Sequence, residues 1–159
     1  MDIPQISPTD RVLLAALQKN ARITNKELAR TARIAESTCL ERVRSLVQRG
    51  VIRGFHAEAD LGALGRTIRA LIRVRLQPKT TESVETFQRN VLAAPETISV
   101  STVSGADDFI VEVAVPDVDR LRTFVLEVIT SRTDVADTQT SLVYEYRRNV
   151  VLEPLAPGG

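Results

Sequence analysis

The chain has 159 residues, 43% apolar and 26% charged, which fits one ordinary soluble domain or two small ones and excludes a disordered chain. Its formal charge is only +1, but residues 1–55 carry ten Lys and Arg against five Asp and Glu, a net of +5, and the remainder carries −4. Such asymmetry points to one half that meets a polyanion and another half with a different task.

No run of 18 apolar residues occurs, so no membrane partner is expected. The opening MDIPQISPTD has neither the basic region nor the apolar core of a secretory leader. A single cysteine, Cys39, leaves no intramolecular disulfide, and the expected location is the cytoplasm.

Three helices are predicted first. Ser7-Pro8-Thr9-Asp10 reads as a capping box with proline at the first helical position, and Leu13, Leu14 and Leu17 follow at helical spacing toward Asn20. Thr24-Asn25-Lys26-Glu27 is a second capping box, opening a short helix with Leu28 and Ala29 inward. After TARIA a longer helix begins, closed by Gly50. Two helices joined by about four residues make a helix-turn-helix, placed at 25–44. Val51, Ile52 and Phe55 then predict a small hairpin or wing, which completes an N-terminal domain over 1–55. Residues 56–66 are expected as linker, with LGALG (61–65) as a hinge. His56, with no Cys, His or acid pattern beside it, gives no metal site.

The second half, 67–159, changes period. In TIRALIRVRL the residues Ile68, Ala70, Ile72, Val74 and Leu76 alternate with Thr67, Arg69, Arg73 and Arg75, a half-buried strand. ESVETFQRNVLAAP is a helix with Val84, Phe87, Val91 and Leu92 on one face. TISVSTVS and FIVEVAV are strands separated by the turn GADD. A helix follows with Leu121, Phe124, Val125 and Val128 inward, and TQTSLVYEY is a last strand beginning near Thr138. The order βαββαβ gives an antiparallel sheet with both helices on one face, a ferredoxin-like α+β domain. The tail 153–159 is expected to fray.

On the third helix Leu40, Val43, Leu46 and Val47 fall within one arc, with Cys39 on that inward side as a small apolar residue. The opposite arc centres on Thr38, Glu41 and Ser45 and is flanked by Ser37, Gln48 and Arg49, with Arg42 and Arg44 on the shoulders. Arginine forks onto guanine edges or phosphates, and Ser and Thr hydroxyls serve base or backbone. Ser37 and Thr38 stand at the helix end that such motifs push into the major groove. Lys26, Arg30, Arg33 and Arg53 add charge for phosphate neutralisation. The expected partner is double-stranded DNA, although three-helix bundles of other function share the pattern.

The stretch LLAALQKNARITNKELARTARIAESTCLERVRSLVQRGVIRGF resembles the winged helix-turn-helix of the leucine-responsive regulatory protein (Lrp/AsnC) family of prokaryotic transcription regulators, and VSGADDFIVEVAVPD resembles that family's turn between two sheet strands. The likeness runs from about Asp10 to about Arg148. It implies a winged helix-turn-helix followed by an effector-binding domain of the RAM, ACT-like type. Dimers would form through the sheets and often assemble to octamers, and an amino acid or similar effector would bind between subunits.

On that basis Ser104, Gly105, Ala106, Asp107 and Asp108 become an effector pocket, with backbone amides at Gly105 and Ala106 for a carboxylate and either Asp107 or Asp108 for an ammonium. Thr138, Gln139 and Thr140 would come across from a neighbouring subunit. No cofactor beyond the effector is implied. Two places depart from the family: Arg33 stands where glycine is common in the turn, and Ala35 where serine commonly caps the helix, with Glu36 following. Arg33 would then adopt a left-handed conformation at a cost of about 1 kcal/mol, and the missing cap costs about 0.5–2 kcal/mol.

Rival readings are weaker. An enzyme lacks a nucleophile–base pair, a metal cluster or a phosphate loop. An RNA-binding βαββαβ module needs aromatics on its central strands, and this chain has four Phe and two Tyr. A DNA-organising protein of the same fold with no effector is the alternative that stays open.

Overall fold

A computed structural model describes residues 6–155, which divide into two compact units: one built from the residues up to Glu58 together with those from Arg147 onward, the other from Ala59 to Tyr146.

The first unit holds α1 (Pro8–Lys19), α2 (Asn25–Ala32) and α3 (Glu36–Gln48). Both predicted capping boxes form: Ser7 and Asp10 exchange side-chain and backbone bonds at α1, and Thr24 and Glu27 do so at α2. Leu13, Leu28, Ala29 and Cys39 make the core, with Leu17, Ile23, Ile34 and Val43 against them. Burial raises the Cys39 thiol pKa, and the Glu36 charge adds to that, so the residue stays a neutral apolar filler. Arg49 ends α3, and Gly50 follows at φ +69. The amide of Gly50 donates to the Val47 carbonyl and that of Val51 to the Leu46 carbonyl, a Schellman closure that only a residue tolerant of positive φ completes cheaply.

Two expectations fail in this unit. Residues 51–58 form no strand, so the predicted hairpin is absent; Phe55 is half exposed and the segment pairs with no second strand. The tail joins this unit instead of ending the second domain. Gln18 donates through Nε2 to the Leu152 carbonyl at 3.1 Å and accepts from the Leu152 amide at 2.9 Å, and Arg148 pairs with Glu58 at 2.6 Å. Leu152 and Pro154 line a groove of about 490 Å³ with Leu14, Leu17, Ile52 and Phe55. Of the predicted frayed stretch, residues 156–159 lie outside the described residues.

In the second unit the predicted linker carries a hydrogen-bonded turn at 61–65, closed by Arg66 N–H to the Leu61 carbonyl. Beyond it the order is β1 (Ile68–Leu76), α4 (Thr81–Ala93), β2 (Thr97–Thr102), β3 (Phe109–Val115), α5 (Val118–Phe124) continuing as a π-helical segment Val125–Thr130, and β4 (Val135–Leu142). The sheet is antiparallel in the order β2-β3-β1-β4. Alternation in β1 does what its period predicts: Ala70, Ile72, Val74 and Leu76 are buried with Val111, Val113, Phe87, Val91, Phe124 and Ile129. The Phe87 and Phe109 rings stack at 4.6 Å between centroids, a geometry worth about 0.5–1.5 kcal/mol beyond burial. Leu92, predicted inward, is exposed, because the buried line of α4 runs through Phe87 and Val91. The last strand starts at Val135, three residues earlier than expected, and stops at Leu142.

Candidate nucleic-acid interface and ligand site

The turn into α3 is made by Arg33, the only non-glycine residue with positive φ among the described residues (φ 55, ψ 44). Its amide donates to Arg30, and the Ile34 amide donates to the Ala29 carbonyl, so the turn closes as a glycine would close it. The left-handed strain foreseen for Arg33 is therefore present. Ala35 begins α3 without any side-chain cap. Asn25 Nδ2 donates to the Glu36 carbonyl at 2.9 Å, which ties the first turn of α3 to the start of α2 without capping its amides.

The exposed arc of α3 is rotated from the predicted one. Cys39 and Leu46 are fully buried, while Leu40 and Val47, expected inward, are 42% and 44% exposed. The exposed line opposite the core is Ser37, Glu41, Arg44 and Gln48, with Thr38 and Arg49 also exposed and Ser45 half-buried. Lys26 and Arg33 are exposed at the same helix-turn-helix. Arg42 is the exception. Its Nη1 lies 3.1 Å from Asp10 Oδ1 and 3.5 Å from Ser7 Oγ, so it ties α3 to the capping box of α1. Burial opposes ionisation of Asp10, yet hydrogen bonding from Ser7 and Arg42 outweighs it and holds the carboxyl below its ordinary value.

At the other candidate site the two aspartates separate. Asp108 is buried; its Oδ2 accepts from the Leu76 amide at 2.8 Å and its Oδ1 pairs with Lys79 Nζ at 2.5 Å. The Lys79 hydrogen bond, then the Leu76 amide, hold its carboxyl low despite burial. Its own amide donates to the Val74 carbonyl, and its carbonyl accepts from Val103, so Asp108 anchors the turn to β1. Asp107 instead reaches toward Arg73, with Oδ2 4.0 Å from Nε. Ser104, Gly105 and Ala106 are exposed, and Gly105 stands at φ +126 with open space where a Cβ would go, so the backbone alone demands glycine there.

Register divides the third predicted group. Gln139 pairs with Arg73 across the sheet and its Oε1 accepts from Arg73 Nη2, on the face away from the helices. Thr138 and Thr140 pair with Val74 and Ile72 and so point to the helix-covered face. The Thr138 hydroxyl is buried without a hydrogen-bond partner among the described residues. On the open face Arg69 pairs with Glu112 at 2.6 Å and stacks 3.4 Å from the Tyr146 ring centroid.

Comparison with known proteins is decisive. Residues 69–149 match the family described as the Lrp/AsnC ligand binding domain, and residues 6–53 match a winged helix-turn-helix DNA-binding family. The chain belongs to the Lrp/AsnC family. It is 43% identical over 139 residues to the HTH-type transcriptional regulator AldR of Mycolicibacterium smegmatis, covering 87% of this chain and 81% of that protein. Among solved structures, that of MtbAldR superposes with TM-score 0.75 at 35% identity, covering 96% of this chain and 100% of that one. A transcriptional regulator of Neisseria meningitidis, crystallised as its L-Met complex, superposes with TM-score 0.85 at 28% identity over 91% of this chain and 94% of that one. The chain is thus a DNA-binding transcription regulator with a C-terminal ligand-binding domain, and the α+β architecture expected from its sequence is the one observed.

Within this Lrp/AsnC chain the structure brings together Asp107, Arg73 and Gln139, of which Arg73 is absent from the sequence-derived site. It also gives Asn25 a role at the start of α3 and Lys79 a role beside that site. Arg73 was visible as part of an alternating arginine face; the partners of Asn25 and Lys79 depend on turns that no local pattern encodes.

Proposed function

We propose that this regulator binds specific double-stranded DNA through the exposed arc of α3, and that an amino acid or related small molecule bound at the 104–108 turn modulates that binding or the assembly of the protein. The observation that carries it is the line Ser37, Glu41, Arg44 and Gln48, polar and exposed on a helix whose other side is core. Lys26, Arg33 and Arg49 supply charge for the flanking phosphates, and Thr38 lies at the helix end nearest the groove floor. Arg42 contributes mainly by fixing α3 against α1.

For the effector, the L-Met complex of the Neisseria relative supports an amino acid. Gly105 and Ala106 amides would meet its carboxylate, and Asp107, the aspartate not consumed in anchoring β1, its ammonium, with Gln139 nearby. The protein acts as a homodimer through the open sheet face, assembling further to an octamer. It is a cytoplasmic regulator and not an enzyme, and it needs no cofactor.

The test combines selection of duplexes from a randomised pool with a thermal-shift screen of the common amino acids. A selected consensus, and one or more amino acids that raise the melting temperature and change affinity for it, is the expected result. Selection of a consensus with no amino acid response overturns the effector half and leaves a DNA-organising protein of this fold. Enrichment of no sequence overturns specific recognition.

A further inference from the structure

Glu41 is the residue on α3 that the charge of the unit does not explain. It sits in the second turn of the helix, exposed, between Ser37 and Arg44 on the line farthest from the core. The surrounding segment, residues 1–55, carries a net +5, and a carboxylate on a face turned to phosphates weakens attraction to every DNA sequence alike. A solvated helix face would justify it through an ion pair three or four residues away. Its neighbours at those spacings are Ser37, Thr38, Arg44 and Ser45. Arg44, the one cation among them, makes no salt bridge with it among the described residues. Glu36, the other acid of the helix, stands in its first turn, where it suits the helix dipole; that account does not reach Glu41.

A carboxylate in the major groove is rewarded only by a donor on a base edge, and two exist: the N4 amine of cytosine and the N6 amine of adenine. Adenine sets its N7 acceptor beside N6, so a carboxylate drawn to the amine is repelled by N7. Cytosine offers the amine with no neighbouring acceptor on its own edge. From this chemistry we infer that Glu41 is a specificity-determining residue that selects cytosine at one position of the bound sequence, rejecting other bases by leaving its charge unpaired. The inference rests on the reading of α3 as the recognition helix. On that footing Arg44, next along the same line, is set to take a guanine edge or a phosphate beside it.

The experiment uses the full chain and a randomised duplex pool, comparing wild type, Glu41→Gln, Glu41→Ala and Arg44→Ala. Glutamine keeps the length of the side chain but presents a donor and an acceptor, the pair that suits adenine N7 and N6. Wild type is expected to enrich cytosine at one position. Glu41→Gln moves that position to adenine, with the other positions unchanged, and Glu41→Ala leaves it unselective. Matched duplexes differing only there should show a preference change of at least about fivefold, while affinity for random DNA rises in both variants. A consensus identical for wild type, Glu41→Gln and Glu41→Ala overturns the role of Glu41. If Arg44→Ala then alters the consensus, α3 stands as the reader and Glu41 alone is removed. If Arg44→Ala leaves it intact too, the recognition-helix reading falls along with the inference.

Discussion

Arg42 on α3 and Asp10 on α1 form a partly buried ion pair at 3.1 Å, with the arginine side chain 40% exposed and the carboxylate 7% exposed. Arg42→Ala strands that carboxylate with Ser7 as its remaining partner, and is expected to cost about 1–2 kcal/mol of stability in chemical denaturation. Most of any loss in DNA affinity should follow that instability, and a fully stable Arg42→Ala protein that binds weakly would contradict this assignment. The pH dependence follows from the depressed Asp10 carboxyl. The unfolded chain holds its proton up to about pH 4, so the contribution is complete above that and disappears as pH falls through the lower folded value. Asp10→Asn should flatten the acid side of the stability profile.

Asp108 gives a second prediction. Because it accepts from the Leu76 amide and pairs with Lys79, Asp108→Ala should destabilise the ligand-binding unit even without effector, by about 1–3 kcal/mol. Its carboxyl is also held low, so this contribution too is lost on acidification below about pH 4. Asp107→Asn, by contrast, should leave the melting temperature of effector-free protein nearly unchanged while weakening the amino-acid-induced shift. Equal destabilisation by the two substitutions would remove the distinction drawn between them.

The turn before α3 carries two local penalties that can be relieved. Arg33→Gly removes left-handed strain at φ 55, and Ala35→Ser restores a side-chain cap to a helix that lacks one. Each is expected to raise stability by about 0.5–1.5 kcal/mol, roughly additively in thermal melts. A loss of stability with Arg33→Gly would mean that the arginine side chain, not its backbone, holds the turn.

Thr138 separates structure from ligand binding in one substitution. Its hydroxyl is buried and, among the described residues, unpartnered on the helix-covered side of β4, so Thr138→Val should be neutral or stabilising by up to about 1 kcal/mol, with the effector response intact. A lost response would return Thr138 to the ligand site.

How far the sequence anticipated these features depends on the range of the interaction. Ser7 with Asp10 and Thr24 with Glu27 are three residues apart, and both capping boxes were readable as such. The β1 alternation fixed its buried face, and Arg33 and Ala35 behaved as their positions demanded. What escaped was set by distant partners. The tie of Arg42 to Asp10 was hidden because the two lie 32 residues apart. Leu40 and Val47 belong to the apolar arc of α3 yet are exposed, because the face packed on the core is centred on Cys39 and Leu46. Thr138, Gln139 and Thr140 were grouped although a strand sends neighbours to opposite faces, a register that only the pairing with β1 reveals.

The clasp between Gln18 and Leu152 bears on the order in which the protein is made. Three helices of the DNA-binding unit leave the ribosome before the ligand-binding unit, but the residue that lines the groove beside α1 follows that unit in the chain. A nascent chain holding only its first 58 residues therefore shows water a strip of Leu14, Leu17 and Ile52 that the finished protein partly roofs with Leu152. The unit that reads DNA thus gathers its last segment only after the ligand-binding unit has been synthesised.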